Sequence, residues 1–478
     1  MLTYLKKFQT FHMPNDQTVE ALDLQYIDPD AQGIDGPIQA SYKHAVHALD
    51  KAWVDTFRNL GYQMNGDTMS GKSLGGYQIV SSIDPKTRQR SHAGNAYLDS
   101  AKSRPNLDIV TDVIVDKVSI TTSLPKRASG VQFWQNGQKY TVSASKEVII
   151  CAGAIGSPCI LQRSGIGGRQ LLDRLEIDVI VENDHVGKNL QDHIMAGVSF
   201  EVKDGVETLD IFRDPVCIGA AVSQYQKDRT GPMADSPVSF AYLPLRQQDA
   251  ASVTDSLSDL IEEHLRDKDG KSSEALVRKM LEDESEASAN MCMMLSQAHP
   301  ERTTVKDAFA LTDSGNYITL FTALAHPVSR GLVHCTSSAA NATPHIDPAY
   351  YSHPLDLELM SRHVQVFDKV VQTEPMKSML KPDGRRIPAW ADFRSLEEIK
   401  KLVQYSCMSN LHSCGSRAML PEMKGGVVDH QLKVYGVSGL RVCDASIMPL
   451  IPRGNIQSSV YAIAEKAADI IKHDLARK

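Results

Sequence analysis

The residue whose surroundings best suit chemistry is His412, in the string Ser409-Asn-Leu-His412-Ser413-Cys414-Gly415-Ser416. Small side chains on both sides let a ligand approach the imidazole, and a neutral imidazole so placed can take a proton as a general base. The sequence holds sixteen histidines, so a packed or surface role is the competing reading. Asn455 lies in Ile451-Pro-Arg-Gly454-Asn455-Ile456, ahead of a helical pattern, and by itself reads as a helix N-cap. Gly153-Ala-Ile-Gly156-Ser157-Pro158 falls at a strand-to-helix junction. Such a junction puts free amides at the carboxyl end of a strand, where open α/β sheets bind anions and cofactors; an ordinary tight turn is the equal alternative. Gly66-Asp-Thr-Met-Ser-Gly71-Lys72-Ser73 fits the P-loop pattern, but no apolar strand precedes it and Leu74-Gly75-Gly76 breaks the helix it needs, so it is read as coincidence. No GxGxxG occurs. The eight cysteines show no CxxC and no zinc-like spacing, so no metal site is expected and several read as small buried apolar residues.

These candidates hang on a recognisable series of elements. Val46, Leu49, Trp53 and Phe57 recur at helical spacing and predict a helix over 38–61, stopped by Gly61. From 107 to 151 the pattern is β, with Asn136-Gly137 as a hairpin turn and the buried run Glu147-Val-Ile-Ile-Cys151 at its end. Ser157 and Pro158 are read as N-cap and first residue of a short helix closed by Gly165. Residues 251–290 are acidic and helical, with Leu257, Leu260, Ile261, Leu265, Leu276, Met280 and Leu281 on apolar faces and the charges on solvated ones. Further strands, a long loop and the start of a helix occupy 317–365, and the chain ends in a strand, a proline-bounded loop and a terminal helix.

Composition bounds the class. A chain of 478 residues accommodates two to three domains at about 150 residues each. It is 42% hydrophobic and 23% charged, an ordinary globular balance. A net charge of −7 argues against a nucleic-acid partner, and no apolar run reaches the ~18 residues of a membrane helix. The first thirty residues lack the apolar core of a signal peptide, and Asn341-Ala-Thr343 is the one glycosylation sequon, so the default expectation is a reduced, cytoplasmic protein.

The string 153–167, Gly-Ala-Ile-Gly-Ser-Pro-Cys-Ile-Leu-Gln-Arg-Ser-Gly-Ile-Gly, resembles the second signature of the glucose–methanol–choline (GMC) flavoprotein oxidoreductases at every defined position. The segments 186–193, 326–333, 346–360, the surroundings of His412 and 425–449 resemble the family in the same order, so the likeness runs along nearly the whole chain. Its flavour is that of the fungal aryl-alcohol and secondary-metabolite branch. The resemblance implies an α/β FAD-binding domain on a doubly wound sheet, here 106–195 with 425–478, an α+β substrate domain with an antiparallel sheet over 196–424, and a linking region over 1–105. It also implies roles. His412 falls on the base that takes the alcohol proton while hydride passes to FAD, and Asn455 on the second position of the active-site pair. Asp444 and Ala445 fall on the segment touching the ribityl and pyrophosphate part of FAD, Val115 on the position whose backbone meets adenine, and Gly153 and Ile456 on further cofactor contacts. The implied partner is a small-molecule alcohol.

The sequence departs from the family at one place that matters. The opening βαβ unit with GxGxxG is not in it, so the FAD domain is expected to be incomplete, to bind FAD poorly alone, and to take that segment from a second chain if it takes it at all. Flavin-free proton chemistry (a cyclase, dehydratase or lyase) and a non-catalytic homologue are the alternatives. Ser416-Arg417 stands where many members carry threonine and a small residue, and Arg417 is read as altering the pocket or pointing to solvent.

Overall fold

The computed structural model describes residues 1–62, 64–236, 238–245, 257–266 and 272–477. Its largest sheet is made from runs that are apolar at nearly every position, as strands covered on both faces must be. Ile194–Glu201, Tyr317–Leu324, Ala289–Met294 and Val238–Leu243 lie side by side, with Gly75–Gln78 at one edge and Arg386–Ile387 and Cys407–Ser409 both paired to Ile194–Glu201 at the other. All pairings in this seven-stranded sheet are antiparallel.

The two-residue period of a strand divides these runs cleanly. Val198, Phe200, Ala241, Leu243, Met291, Met293, Ile318 and Leu320 face a helical layer and share one core with Trp53 and Phe57 of helix Ala48–Asn59, Phe367 of helix Pro354–Gln372 and Leu402 of helix Leu396–Tyr405. Their alternates, Phe240, Tyr242, Cys292, Phe321 and Ala323, form the opposite face with Tyr77 and Met195. Trp53 is fully buried, and its indole N–H donates to the Phe240 carbonyl at 2.7 Å, which ties the helix to the sheet. Trp53→Ala is expected to cost about 3–5 kcal/mol, measured as a lowered urea midpoint with an unchanged slope.

A second body of structure carries a parallel pairing of its own. Ile114–Ile120, Ala128–Gln135 and Gln138–Ser143 form an antiparallel meander, and positive φ at both Asn136 and Gly137 gives the mirror-image turn that an Asn-Gly hairpin requires. Val148–Ile150 then pairs in parallel with Leu440–Val442. Val118, Ala128, Ile150, Leu161, Val428, Leu440 and Ala467 close the core between meander, parallel pair, helix Gly153–Arg163 and terminal helix Gln457–Ala476. The fold is thus α/β with an added antiparallel part, as expected from the sequence.

Three local readings are corrected, and a fourth holds. The helix predicted over 38–61 is shorter: 38–40 is a strand paired with Gln9–Phe11, and the helix starts at Ala48 because the Asp50 carboxylate accepts the His47 N–H and seals the first turn there. Ser157 and Pro158 do not open their helix; it begins at Gly153, and Pro158 lies inside it. The carbonyl of Ala154, which Pro158 cannot bond for want of an N–H, instead accepts the Ser416 hydroxyl at 2.6 Å. The acidic stretch is two helices, Leu257–His264 and Ser273–Glu282, followed by strand rather than helix at Ala289. Ile261 and Leu265 are buried as expected, but Leu276 is exposed and Ala275 and Val277 take the inner face; the Leu257 side chain and residues 251–256 and 267–271 lie outside the described residues. The P-loop-like string forms a single turn at Thr68–Ser70 with no helix at Lys72, in keeping with coincidence.

Candidate active site

His412 is held by the residues that lead into the large sheet. Asp192 is buried, and its Oδ1 accepts the backbone N–H of His412 at 2.8 Å while its Oδ2 accepts the Tyr350 hydroxyl at 2.6 Å and the Ser409 hydroxyl. Leu411, between them, is exposed with φ +60, a left-handed conformation uncommon for a leucine, and this turn aims the next N–H at Asp192. The Asn410 N–H donates to the His193 carbonyl at 2.9 Å, and Gln191 and Cys414 exchange two backbone hydrogen bonds at 2.9 Å. One carboxylate and one short ladder therefore fix the loop of His412 against residues 191–193.

The imidazoles of His412 and His193 meet through their Nδ1 atoms at 2.8 Å. His193 Nε2 lies 3.1 Å from the Ala325 carbonyl, which can only accept, so that nitrogen carries the proton. Neutral His193 then presents a bare Nδ1 to its partner. His412 must donate from Nδ1, which leaves the lone pair of a neutral His412 on Nε2, the tautomer a general base needs.

Burial sets the protonation. It pulls His193 down to about 3, with neighbouring His412 adding to the effect. Burial also holds His412 below the ordinary histidine range, partly opposed by the Asp192 carboxylate. His326, whose Nδ1 donates to the Ile451 carbonyl at 2.8 Å, is pulled down to about 4, again by burial. The unfolded chain binds protons below about pH 6.5 that these folded imidazoles refuse. Stability is therefore fully present above that pH and is lost as pH falls toward 4. Urea unfolding at stepped pH is expected to show this decline, and His193→Gln is expected to flatten it.

The second loop converges on the same point. A Cβ placed on Gly454 would come within 2.8 Å of the His193 ring and 3.1 Å of the Asn290 amide, so only glycine lets this backbone pack there. Tyr242 donates its hydroxyl to the Gly454 carbonyl. Asn455 is the next residue and is exposed, and Ile456 is buried in a cluster with Cys414, Met448 and Ile451. Ala445 accepts the Gly415 N–H at 3.2 Å. Thus Ile456 and Ala445 meet the His412 loop, whereas Asn455 is placed beside it only as the chain neighbour of Ile456.

Asp444 and Gly153 form a further node. Asp444 accepts the Gly153 N–H at 3.0 Å and the Ser157 hydroxyl at 2.8 Å, and the Ser446 N–H at 2.9 Å. Arg417 is fully buried, not solvent-facing, and its Nη2 donates to Asp444 at 3.2 Å and to the Gly153 carbonyl at 3.4 Å. Burial pulls its guanidinium down to about 10, so it is cationic at neutral pH. Val115 stands apart on the meander, where its carbonyl accepts from Arg163 at 3.2 Å.

The donor set around Gly153 fits the phosphate part of FAD. Gly153 has φ +76 and a Cβ there would meet nothing within 4 Å, so the front of helix Gly153–Arg163 opens onto free space. Arg417 Nη1, beside it, is buried without a hydrogen-bond partner. The Gly153 N–H is already held by the Asp444 carboxylate, so what this helix start still offers an anionic group is the unpaired Arg417 Nη1.

The fold has a known counterpart. An FAD-dependent oxidoreductase from Chaetomium thermophilum superposes with a TM-score of 0.85 at 26% identity, over 99% of this chain and 80% of that one. Residues 8–195 and 327–464 match the N-terminal and C-terminal models described as GMC oxidoreductase. The chain is 32% identical to the GMC oxidoreductase family protein Mala s 12 of Malassezia sympodialis, over 98% of this chain and 73% of that protein. It is 30% identical to the dehydrogenase mpl7 of Monascus purpureus, over 99% and 77% respectively. The chain belongs to the GMC oxidoreductase family.

Asp192, His193 and Tyr350 were not singled out from the sequence. The string 186–193 marks the family resemblance, but nothing local says that its last residue faces His412, 219 positions away.

Proposed function

We propose that the chain oxidises the CH–OH group of a small-molecule alcohol, with His412 as the base and FAD as hydride acceptor. The observation that supports this most is the His193–His412 hydrogen bond, which leaves Nε2 of His412 unprotonated and able to receive the hydroxyl proton. Bound FAD would supply the acceptor for the hydride that leaves the alcohol carbon. Asp192 keeps the His412 backbone in place, and Asn455, an amide that does not titrate, orients the substrate oxygen. Gly153, Asp444 and Ala445 would hold the pyrophosphate and ribityl part of FAD, Val115 the adenine, and Asn455 with Ile456 the flavin end. The sheet face bearing Tyr242, Cys292, Phe321 and Met195 is rich in aromatic and sulfur side chains, which favours an aromatic or polyketide-type alcohol of secondary metabolism.

The competing reading is proton chemistry without a flavin, which the bare Nε2 of His412 would serve as well. One experiment separates them: incubate the purified chain with FAD, desalt, record the visible spectrum, then add benzyl alcohol under anaerobic conditions. A retained flavin band that bleaches with alcohol is the expected result. A folded, colourless protein overturns the redox reading.

A further inference from the structure

The parallel strands Val148–Ile150 and Leu440–Val442 each run directly into a cysteine. Leu440 pairs with Val148, Arg441 with Ile149 and Val442 with Ile150, and the Cys443 N–H donates to the Ile150 carbonyl at 2.9 Å. The next pair in register is Cys151 with Cys443, on one face of the sheet, since side chains opposite each other in register share a face. Neighbouring strands lie about 4.8 Å apart, inside the roughly 4.4–6.8 Å Cα span that a disulfide bridges.

The two thiols differ. Cys151 is exposed and Cys443 half-buried. The interaction of the two thiols holds that of Cys151 below its ordinary range and pushes that of Cys443 up. The Arg417 guanidinium also favours the Cys151 thiolate, while burial and the Asp444 carboxylate oppose it. A second pair, Cys159 and Cys335, is also close but both members are buried, and it serves as an internal comparison.

We propose that Cys151 and Cys443 are a reversible dithiol–disulfide site, with Cys151 the attacking thiol and Cys443 the resolving one, oxidised by a small disulfide such as glutathione disulfide. The Cys151 thiolate attacks one sulfur of the oxidant, forms a mixed disulfide and releases one glutathione thiolate, which takes up a proton. Cys443 then gives up its proton and attacks the Cys151 sulfur, expelling the second glutathione. Two protein thiols are oxidised to one disulfide and one glutathione disulfide is reduced to two thiols, with no other reactant. The bond ties together the strand ends that lead within two residues to Gly153 and Asp444, so the site lies beside the node those two residues form.

The test is peptide mapping of the folded chain after incubation with glutathione disulfide. The expected product is a Cys151–Cys443 linkage that has lost two hydrogens and is reversed by dithiothreitol, with Cys159 and Cys335 still free. Cys443→Ser is expected to trap glutathione on Cys151, whereas Cys151→Ser is expected to slow labelling at Cys443 at least tenfold. Circular dichroism confirms that each serine variant is folded before it is scored. A linkage between other cysteines, or glutathione accumulating on Cys151 of the unaltered chain without closure, overturns the proposal.

Discussion

His412→Ala is expected to lower kcat/KM for alcohol oxidation by about 10²–10⁴-fold, the usual contribution of a positioned general base. The loss follows from geometry. Nε2 of His412 is the atom left bare once Nδ1 is committed to His193 at 2.8 Å, and a methyl group offers no lone pair in its place. Folding is expected to survive, because His412 is only half-buried and the clamp on its loop acts through its backbone N–H, which alanine keeps. Steady-state rates of the flavin-loaded chain across pH check this. The unaltered chain is expected to lose activity as pH falls through the depressed pKa of His412, below the ordinary histidine value, since a protonated imidazole cannot accept the hydroxyl proton. The alanine variant is expected to lose that limb and to recover part of its rate with added imidazole. A rate unchanged by the substitution would remove His412 from the chemistry.

Asp444→Ala is expected to destabilise the fold by about 3–5 kcal/mol, because it leaves the guanidinium of Arg417 buried without its counter-charge. Arg417 is fully buried, and the rest of its hydrogen bonding goes to the Ser446 hydroxyl and the Gly153 carbonyl, neither of which is charged. The same substitution also frees the Gly153 N–H and the Ser157 hydroxyl. Arg417→Met with Asp444→Ala is expected to recover much of the loss, since an apolar replacement removes the unpaired charge. A urea double-mutant cycle measures the coupling, expected at about 1–3 kcal/mol. Additive losses would mean that Asp444 acts through Gly153 and Ser157 alone.

Much of the fold was legible from local pattern. Tyr317–Leu324, in the stretch read as holding strands, is buried at every position, and the Asn136-Gly137 turn has the two positive φ values its residues predict, whereas the run Glu147–Cys151, read as buried, leaves Ile149 and Cys151 exposed. Boundaries were less legible where a side chain or a distant hydroxyl intervened. Val46 continues the helical spacing, yet the Asp50 cap excludes it from the helix and leaves it exposed. Pro158 reads as a helix start, and it sits inside the helix because Ser416, 258 residues on, accepts the task of satisfying the Ala154 carbonyl.

The site divides in the same way. By itself the sequence determined the presence of His412 in a run of small residues, Gly153 at a strand-to-helix junction, Asp444 in a string that carries the family likeness, and Asn455 ahead of a helical pattern, because residue type and near-neighbour spacing are local properties. Only the tertiary structure decided which nitrogen of His412 is free, that Arg417 is buried against Asp444, and that Cys151 stands beside Cys443. Each of these depends on a partner between 27 and 292 residues away, and on the loss of water around buried charge. Hydrogen-bond direction and desolvation are set by what the fold brings together, and no spacing along the chain encodes them.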